Sequence, residues 1–323
     1  MNDKRPDAAR WLKLALKLVI VLVLVWAVRR TLVEAWEQLG EHPWRVLPAW
    51  LVASGCLYLA GLLPAGLFWH RVLVTLGQDA YRGETLRAYY IGHLGKYVPG
   101  KAMVVVLRAG LIRGHRVQTG VAAVSVFFET LTMMASGAFW AAAILAVWFR
   151  THPPLLFLSI GLMVVAGLPT LPPVFRRLVR LAGVGRSDPA VAERLDRLGY
   201  GTLLLGWVAN TLAWVLLGLS FWAVLEAMEI PHLAPLLDVP RYTASVALAM
   251  VAGFLSLIPG GAVVRELILT ELMVPCFTLR APEVPAEVAA LVSAVLLRLV
   301  WLVSDLVISG ILYFAGGRKS TPA

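Results

Sequence analysis

Charged residues are scarce in this chain, since Asp, Glu, Lys and Arg make up 15% of its 323 residues. About a quarter is usual for soluble domains. Hydrophobic residues make up 59%, and the mean hydropathy is +0.78. Several apolar runs approach or exceed the roughly 20 residues that a helix needs to cross a bilayer. A soluble protein is therefore excluded, and the composition predicts an all-α integral membrane protein.

Patterns of metal ligands are also lacking. The two cysteines, Cys56 and Cys276, lie far apart in apolar segments, so we expect buried free thiols rather than a disulfide or a C-x-x-C site. The six histidines are scattered along the chain. No D-x-D or D-D-x-x-D cluster is present of the kind that metal-dependent lipid transferases use. We therefore predict no metal, no other cofactor and no nucleic-acid partner.

Hydropathy predicts about six full membrane spans, at residues 11–29, 46–69, 118–149, 154–172, 200–225 and 285–315. Two further segments differ from these spans. Residues 83–115 contain an apolar run of only about 11 residues, and residues 242–278 are interrupted at Pro259-Gly260-Gly261. Both predict re-entrant hairpins, with a half-helix on either side of a Pro-Gly break. Eight or more complete spans is the alternative that hydropathy leaves open.

Basic residues favour one orientation in the membrane. If the N-terminus is inside, most of the 29 Lys and Arg fall on the cytoplasmic side, whereas Glu34, Glu37, Glu41, Glu226 and Glu229 fall outside. The two hairpins, entering from opposite sides, keep this alternation intact. We therefore expect a multi-pass protein of a bacterial-type cytoplasmic (inner) membrane, with both termini in the cytoplasm.

The two broken segments belong to an internal repeat. Alignment on Pro-Gly sets YIGHLGKYVPGKAMVVVL (90–107) over MVAGFLSLIPGGAVVREL (250–267). A full span precedes each segment, and a long helix with charged residues follows it. We predict one polytopic domain, residues 1–323, built from repeats of about 1–150 and 151–323. Because the repeats begin on opposite sides, they are expected to have inverted topology, with substrate between them.

The stretch GKYVPGKA (95–102) nearly matches the nucleotide-binding pattern G-x-x-x-x-G-K-[ST], but Ala102 replaces the hydroxyl residue. Its counterpart, SLIPGGAV (256–263), has no lysine, so the shared element is Pro-Gly. This comparison favours a helix break within the membrane over a nucleotide site. A helix N-terminus after such a break offers free backbone N–H groups and a positive dipole end to phosphate.

Ionised residues in the membrane cost about 2.5–3.5 kcal/mol each and therefore need a partner or a wet cavity. Arg298 and Asp305 share a helix face with Trp301, and Glu129, Ser136 and Trp140 share another, so we expect two facing polar stripes. A purely structural alternative pairs the charges in salt bridges, for instance Glu129 with Arg298. The candidate substrate-binding residues are Lys96, Pro99, Gly100, Lys101, Arg108, Glu129, Pro259, Gly260, Gly261, Arg265, Glu266, Arg298 and Asp305.

At GHLGKYVPGK and LSLIPGGAVVRE the chain resembles the flippase-like transmembrane domain of lysylphosphatidylglycerol synthetases. The resemblance covers essentially the whole chain and is most specific at 95–101 and 259–266, with the Arg298 helix in support. It implies movement of a phospholipid between leaflets. Bifunctional members also carry a soluble aminoacyltransferase domain. We expect this chain to lack that domain, because it ends soon after its last span.

Three functions follow from these observations. The first is a lipid transporter or flippase for an anionic-headgroup lipid: a phospholipid, an aminoacyl-phospholipid or a lipid-linked sugar. The second is a membrane-embedded transferase acting on a lipid phosphate or a lipid-linked sugar. The third is a scaffold subunit of a lipid-modifying complex. We favour the first, without enzymatic activity, and a lipid-synthesising enzyme is an expected partner.

Overall fold

The computed structural model describes residues 46–98, 102–114, 116–148, 153–181, 194–230, 235–256, 261 and 263–316. These residues form α-helices and short 3-10 helices, and no strand occurs among them. The all-α prediction is therefore confirmed. The α-helices are α1 (Pro48–Thr75), α2 (Arg82–His93), α3 (Ala102–Ile112), α4 (Thr119–Trp148), α5 (Pro153–Gly167), α6 (Pro172–Leu181), α7 (Tyr200–Ala227), α8 (Val239–Leu255), α9 (Val264–Arg280) and α10 (Ala286–Gly316).

Four helices are long and apolar enough to cross a membrane: α1, α4, α7 and α10. They have 28 to 31 residues, and at 1.5 Å per residue each exceeds the roughly 30 Å of a hydrocarbon core. They coincide with four of the predicted spans. The predicted first span, 11–29, lies outside the described residues.

The predicted span at 154–172 corresponds to α5 and the short 3-10 turn that follows it, and the chain bends sharply where this span ends. Helix α5 ends at Gly167, a 3-10 turn follows over Leu168–Thr170, and α6 leaves this segment at an angle of 74°. Proline explains the break, because Pro172 and Pro173 lack the N–H that a continuing helix needs and favour a new first turn. The described residues thus provide four spans, or five if the bent pair crosses the membrane.

The two Pro-Gly segments form helical hairpins, α2–α3 and α8–α9. At the open end of the first hairpin, Arg116 lies 4.0 Å from Asp79. At the open end of the second, Arg280 pairs with Asp238 at 2.6 Å. In each hairpin the chain therefore enters and leaves at the same end. The tips themselves, Pro99, Gly100, Lys101, Pro259 and Gly260, lie outside the described residues.

The arms of the hairpins are shorter than the spanning helices. Helices α2 and α3 have 12 and 11 residues, or about 18 and 17 Å. Helices α8 and α9 have 17 residues each, or about 26 Å. None of these arms matches the roughly 30 Å hydrocarbon thickness, and the first hairpin covers little more than half of it.

Helices α1 and α7 pack antiparallel in the centre of the bundle. Ser54 Oγ lies 2.9 Å from Ser220 Oγ, while the Phe68 ring covers Gly206. Both helices have 28 residues. Ser54 and Gly206 are the seventh residue of their helices, and Phe68 and Ser220 are the twenty-first. The two contacts therefore exchange under a two-fold rotation between the helices.

The packing of these helices on the hairpins and on the two other long helices repeats under the same rotation. Helix α1 contacts α2 and α4, as α7 contacts α8 and α10. Helix α3 packs on α4, as α9 packs on α10. The halves also exchange elements, since α4 packs on α8 and α10 packs on α2. The long helix of each half thus closes over the hairpin of the other half.

The cysteines meet only one of the two expectations. Both thiols are free, and Cys276 is buried as predicted. Cys56 is exposed on α1, so its predicted burial is wrong. In a membrane protein an apolar helix face can point outward, and hydrophobicity alone therefore does not indicate burial within the bundle.

Candidate functional site

The largest cavity that we describe has a volume of about 310 Å³ and lies between the first hairpin, α4 and the second hairpin. Helix α1 contributes two residues to its wall and helix α7 contributes one, so residues from both halves of the molecule line the cavity. Its polar wall consists mainly of Lys96, Arg108, Glu129, Arg265 and His93. Most of the remaining wall is apolar, including Phe127, Met133, Met134, Leu217, Met250 and Phe254.

Arg108 and Glu129 form an ion pair in the cavity wall. Arg108 Nη1 lies 2.7 Å from Glu129 Oε2, and the two side chains are only 3% and 1% exposed. The Tyr89 hydroxyl donates to Glu129 Oε1 at 3.2 Å, and the Arg108 guanidinium stacks 3.8 Å above the Tyr89 ring. Such partners are what a buried charge requires.

A close approach of α2 to α3 positions Arg108. A Cβ atom on Gly92 would overlap the Arg108 Cγ atom and would lie 3.1 Å from the Arg108 backbone nitrogen. Only glycine fits at this position without displacing the arginine. Gly92, the first glycine of YIGHLG, thus lets the two arms of the hairpin meet where the ion pair forms.

Lys96 and Asp305 form a second ion pair, which connects the two halves of the molecule. Lys96 Nζ lies 2.7 Å from Asp305 Oδ2, and the aspartate side chain is completely buried. The Tyr58 hydroxyl donates to Asp305 Oδ1 and the Tyr97 hydroxyl to Oδ2, both at 2.8 Å. The 3-10 turn that follows α2, Leu94–Tyr97, is thereby fixed to α10.

A third ion pair lies in the second half. Arg298 Nη1 donates to Glu266 Oε1 at 2.9 Å, while Glu266 Oε2 is buried without a hydrogen-bond partner in the described part of the chain. Both residues line a void of only about 30 Å³, together with Arg265 and Trp301. Arg265 donates to the Met250 sulfur. Because Arg265 also lines the large cavity, it borders both spaces.

The break of the second hairpin reaches the large cavity at Gly261. This residue has a φ of +66°, which favours glycine. Helix α9 begins three residues later at Val264, and Ala102, the first residue of α3, also lines the cavity. Both half-helix N-termini predicted from the sequence therefore lie next to this space, as an anion site requires.

The salt bridge suggested between Glu129 and Arg298 is wrong. Glu129 pairs with Arg108, and Arg298 pairs with Glu266. Each ion pair stays within one half of the molecule and joins a hairpin arm to the following long helix. The spacing along the chain does not predict which of these four charged side chains pair with each other, because all four lie on neighbouring segments.

The expectation of two facing polar stripes also fails. Ser136 accepts a hydrogen bond from Trp214 Nε1 at 3.2 Å, and Trp140 Nε1 donates to Thr211 Oγ1 at 2.8 Å. These partners belong to α7, so this part of the α4 stripe packs against α7. The stripe on α10 instead meets α1 and the 3-10 turn Leu94–Tyr97 through Trp301 and Asp305.

The structure thus brings Lys96, Arg108, Glu129, Gly261 and Arg265 to one cavity. Glu266 and Arg298 line the smaller void, and Asp305 lies behind Lys96. Sequence reasoning missed four further residues: Tyr58, Tyr89, His93 and Tyr97. A tyrosine in an apolar segment needs a partner for its hydroxyl, and this requirement was the available signal.

The charged groups that line the cavity are mostly cations. Three of them, Lys96, Arg108 and Arg265, line it with one carboxylate, Glu129, while Asp305 behind the wall compensates Lys96. Arg108 Nε is buried and has no hydrogen-bond partner among the described residues. The same residues contain no group of three or more His, Cys, Asp or Glu side chains that could hold a metal ion. The arrangement suits an anionic ligand with an apolar part.

Comparison with known proteins gives one match. No curated protein and no solved structure matches the chain. The family described as the lysylphosphatidylglycerol synthase TM region matches residues 14–309, which is most of the sequence. The multi-pass membrane character and the lipid-related setting expected from the sequence agree with this match. The chain belongs to the lysylphosphatidylglycerol synthase TM region family.

Proposed function

We propose that this protein moves a membrane lipid with an anionic headgroup between the two leaflets, and that the headgroup phosphate binds in the 310 Å³ cavity. The observation that carries this proposal is the unpartnered, buried Nε of Arg108 in a wall with excess positive charge. A buried donor without an acceptor costs free energy, and a phosphate oxygen would satisfy it.

The architecture that we propose is an inverted repeat with two re-entrant hairpins. The antiparallel packing of α1 on α7 supports it, because equivalent helices then run in opposite directions across the membrane. The short arms of α2 and α3 support a hairpin that stops inside the bilayer. In transporters of this kind the substrate binds near the midplane, where the repeats meet.

The wall of the cavity provides a route for the acyl chains. Phe127 lines the cavity and is 52% exposed. We infer from this exposure that the cavity opens beside α4, towards the surface that would face lipid. A lipid can place its headgroup beside Arg108 while its chains remain in the bilayer, where burial of each CH₂ is favourable by about 0.8 kcal/mol.

Ion pairing allows the site to release its ligand. Lys96 and Arg108 each have a carboxylate partner in this structure. A headgroup phosphate would compete with Asp305 and Glu129 for these cations, and the carboxylates would take them back on release. No nucleotide is needed for this exchange, so we infer passive or ion-coupled movement at the inner membrane.

The proposal is tested in proteoliposomes that contain fluorescent phosphatidylglycerol, with dithionite quenching of the outer leaflet as the readout. Wild-type protein is expected to accelerate exchange, and Lys96→Ala and Arg265→Met to slow it. The matched control is Arg177→Ala, because Arg177 is exposed on α6. Exchange at the wild-type rate in both cavity variants contradicts the site.

The same preparation separates the competing functions. Turnover of phosphatidylglycerol or a lipid-linked sugar into a new product, detected by mass spectrometry, would establish a transferase instead. Protein that exchanges no lipid and co-purifies with a stoichiometric lipid-synthesising enzyme would establish a scaffold. Co-purification of such an enzyme with an active transporter would instead support the expected partner.

A further inference from the structure

His93 is a cavity residue for which the ion pairs described above leave no role. It is the last residue of α2, and its ring stacks on Tyr89 with centroids 6.0 Å apart. The ring lies 6.5 Å from the Tyr58 ring and lines the 310 Å³ cavity. The side chain is partly buried between aromatic rings and has three cations on the same wall: Lys96, Arg108 and Arg265.

The hydrogen bond from Arg108 fixes the protonation of this ring. Arg108 Nη2 lies 3.3 Å from His93 Nδ1. A guanidinium can only donate hydrogen bonds, so Nδ1 must accept and cannot carry a proton. The imidazole is therefore neutral, with its proton on Nε2. The second nitrogen is a donor.

Arg108 is in turn held by two acceptors. Its Nη1 donates to Glu129 and its Nη2 to His93, while its Nε has no hydrogen-bond partner within the described residues. The His93 Nε2–H and the Arg108 Nε–H are thus two donors that no carboxylate occupies. Lys96, by contrast, already donates to Asp305 and to the Tyr58 hydroxyl, so only one of its three N–H groups is left for an anion.

We propose that His93 binds the headgroup phosphate directly through Nε2–H while its Nδ1 orients Arg108. This inference rests on the proposed lipid transport and adds a residue that contacts the phosphate. The ligand chemistry is a phosphate oxygen, which either a lipid headgroup or free phosphate can supply. The excess positive charge of the wall favours an anion over a zwitterion.

Two variants separate the two roles of the ring. In His93→Asn the amide lies near the position of Nδ1, so an acceptor for Arg108 remains but the Nε2 donor is lost. In His93→Gln the amide reaches the position of Nε2, so a donor remains but the acceptor is lost. We expect His93→Asn to bind dioctanoyl phosphatidylglycerol about tenfold more weakly, because a hydrogen bond to a charged group is lost. His93→Gln should retain most of the affinity.

His70→Asn is the matched control. His70 lies on α1, where its Nδ1 is 3.3 Å from Thr85 Oγ1, and it does not line the cavity. Its replacement should leave lipid binding unchanged. A ring that only positions Arg108 would give the reverse order, with His93→Gln weaker than His93→Asn. That order would overturn the inference.

A measurement on the wild-type protein requires no variant to fold. Delipidated protein with ¹⁵N-labelled histidine, in a maltoside detergent without phosphorus, is frozen with dioctanoyl phosphatidylglycerol. We expect one histidine Nε2 signal to show ¹⁵N–³¹P dipolar dephasing, and inorganic phosphate at the same concentration to give none. The absence of dephasing from bound lipid would overturn the inference.

The outcomes distinguish this inference from the proposed function. If the wild-type protein binds and moves the lipid without dephasing, and His93→Asn binds it as tightly as the wild type, the transport function stands and the His93 contact is overturned. If inorganic phosphate causes dephasing and the lipid does not displace it, His93 Nε2–H is still the phosphate donor, but the inference that its ligand is a lipid is overturned. Wild-type protein that binds neither ligand overturns both.

Discussion

Replacing Arg108 by methionine should destabilise the protein strongly. Its partner Glu129 is 1% exposed, and the two charged groups are 2.7 Å apart. Without Arg108 the carboxylate keeps only neutral partners, the hydroxyls of Tyr89 and Thr130. Removing one member of a buried ion pair costs about 3–5 kcal/mol, because the remaining charge is left uncompensated.

The double variant Arg108→Met/Glu129→Met should recover most of that loss. Replacing both members of a buried pair by apolar side chains of similar volume is often nearly neutral. Unfolding in mixed micelles with increasing SDS fraction gives the free energies for both variants. Exchange of fluorescent phosphatidylglycerol in proteoliposomes gives the activity, and we expect the double variant to be stable but slow.

The surface pair of Arg180 and Asp196 provides the control. Their nearest atoms are 3.2 Å apart, but the side chains are more than half exposed. Arg180→Met should therefore cost no more than about 1 kcal/mol. Two results would refute the reasoning: an Arg108→Met loss as small as this control, or wild-type exchange by the double variant. The first result would contradict the stabilising contribution of the buried ion pair, and the second would contradict a role of Arg108 in lipid binding.

Two further predictions concern the first hairpin. Gly92→Ala should destabilise the protein by about 1–3 kcal/mol, because the new Cβ would overlap Arg108. Gly110→Ala, which has open space at its Cβ, should be neutral or stabilising. Thermal unfolding of both variants checks this difference, and equal effects would contradict it. Asp305→Asn should loosen the turn Leu94–Tyr97, because Lys96 loses its charged partner at 2.7 Å, and trypsin cleavage near this turn in detergent solution should become faster. Unchanged cleavage would show that the two tyrosine hydroxyls alone hold this turn.

Sequence reasoning located the elements of this fold well. The spans at 46–69, 118–149, 200–225 and 285–315 correspond to α1, α4, α7 and α10. The two Pro-Gly segments do separate helices, α2 from α3 and α8 from α9, because a Pro-Gly pair interrupts an apolar helix, while their re-entrant course in the membrane stays a prediction. The segment at 154–172 corresponds to α5 and the following 3-10 turn, but the 74° change of direction into α6 was not predicted, because the effect of Pro172 and Pro173 on direction depends on packing.

The site was located only in part. Lys96, Arg108, Glu129, Gly261 and Arg265 were named from the cost of charge in a membrane and from the Pro-Gly break, and they do line one cavity. Their pairing was not foreseen. His93 was missed because a single histidine near the end of an apolar segment carries no pattern.

The sequence by itself determined that this chain is a bundle of apolar helices with two breaks, because composition and proline position act locally. Only the tertiary structure decided which charges meet. In a membrane protein both the inner and the outer faces of a helix are apolar, so hydrophobic periodicity does not fix how each helix is rotated. The rotation of α3 and α4 decides that Arg108 meets Glu129, and the rotation of α10 decides that Asp305 meets Lys96.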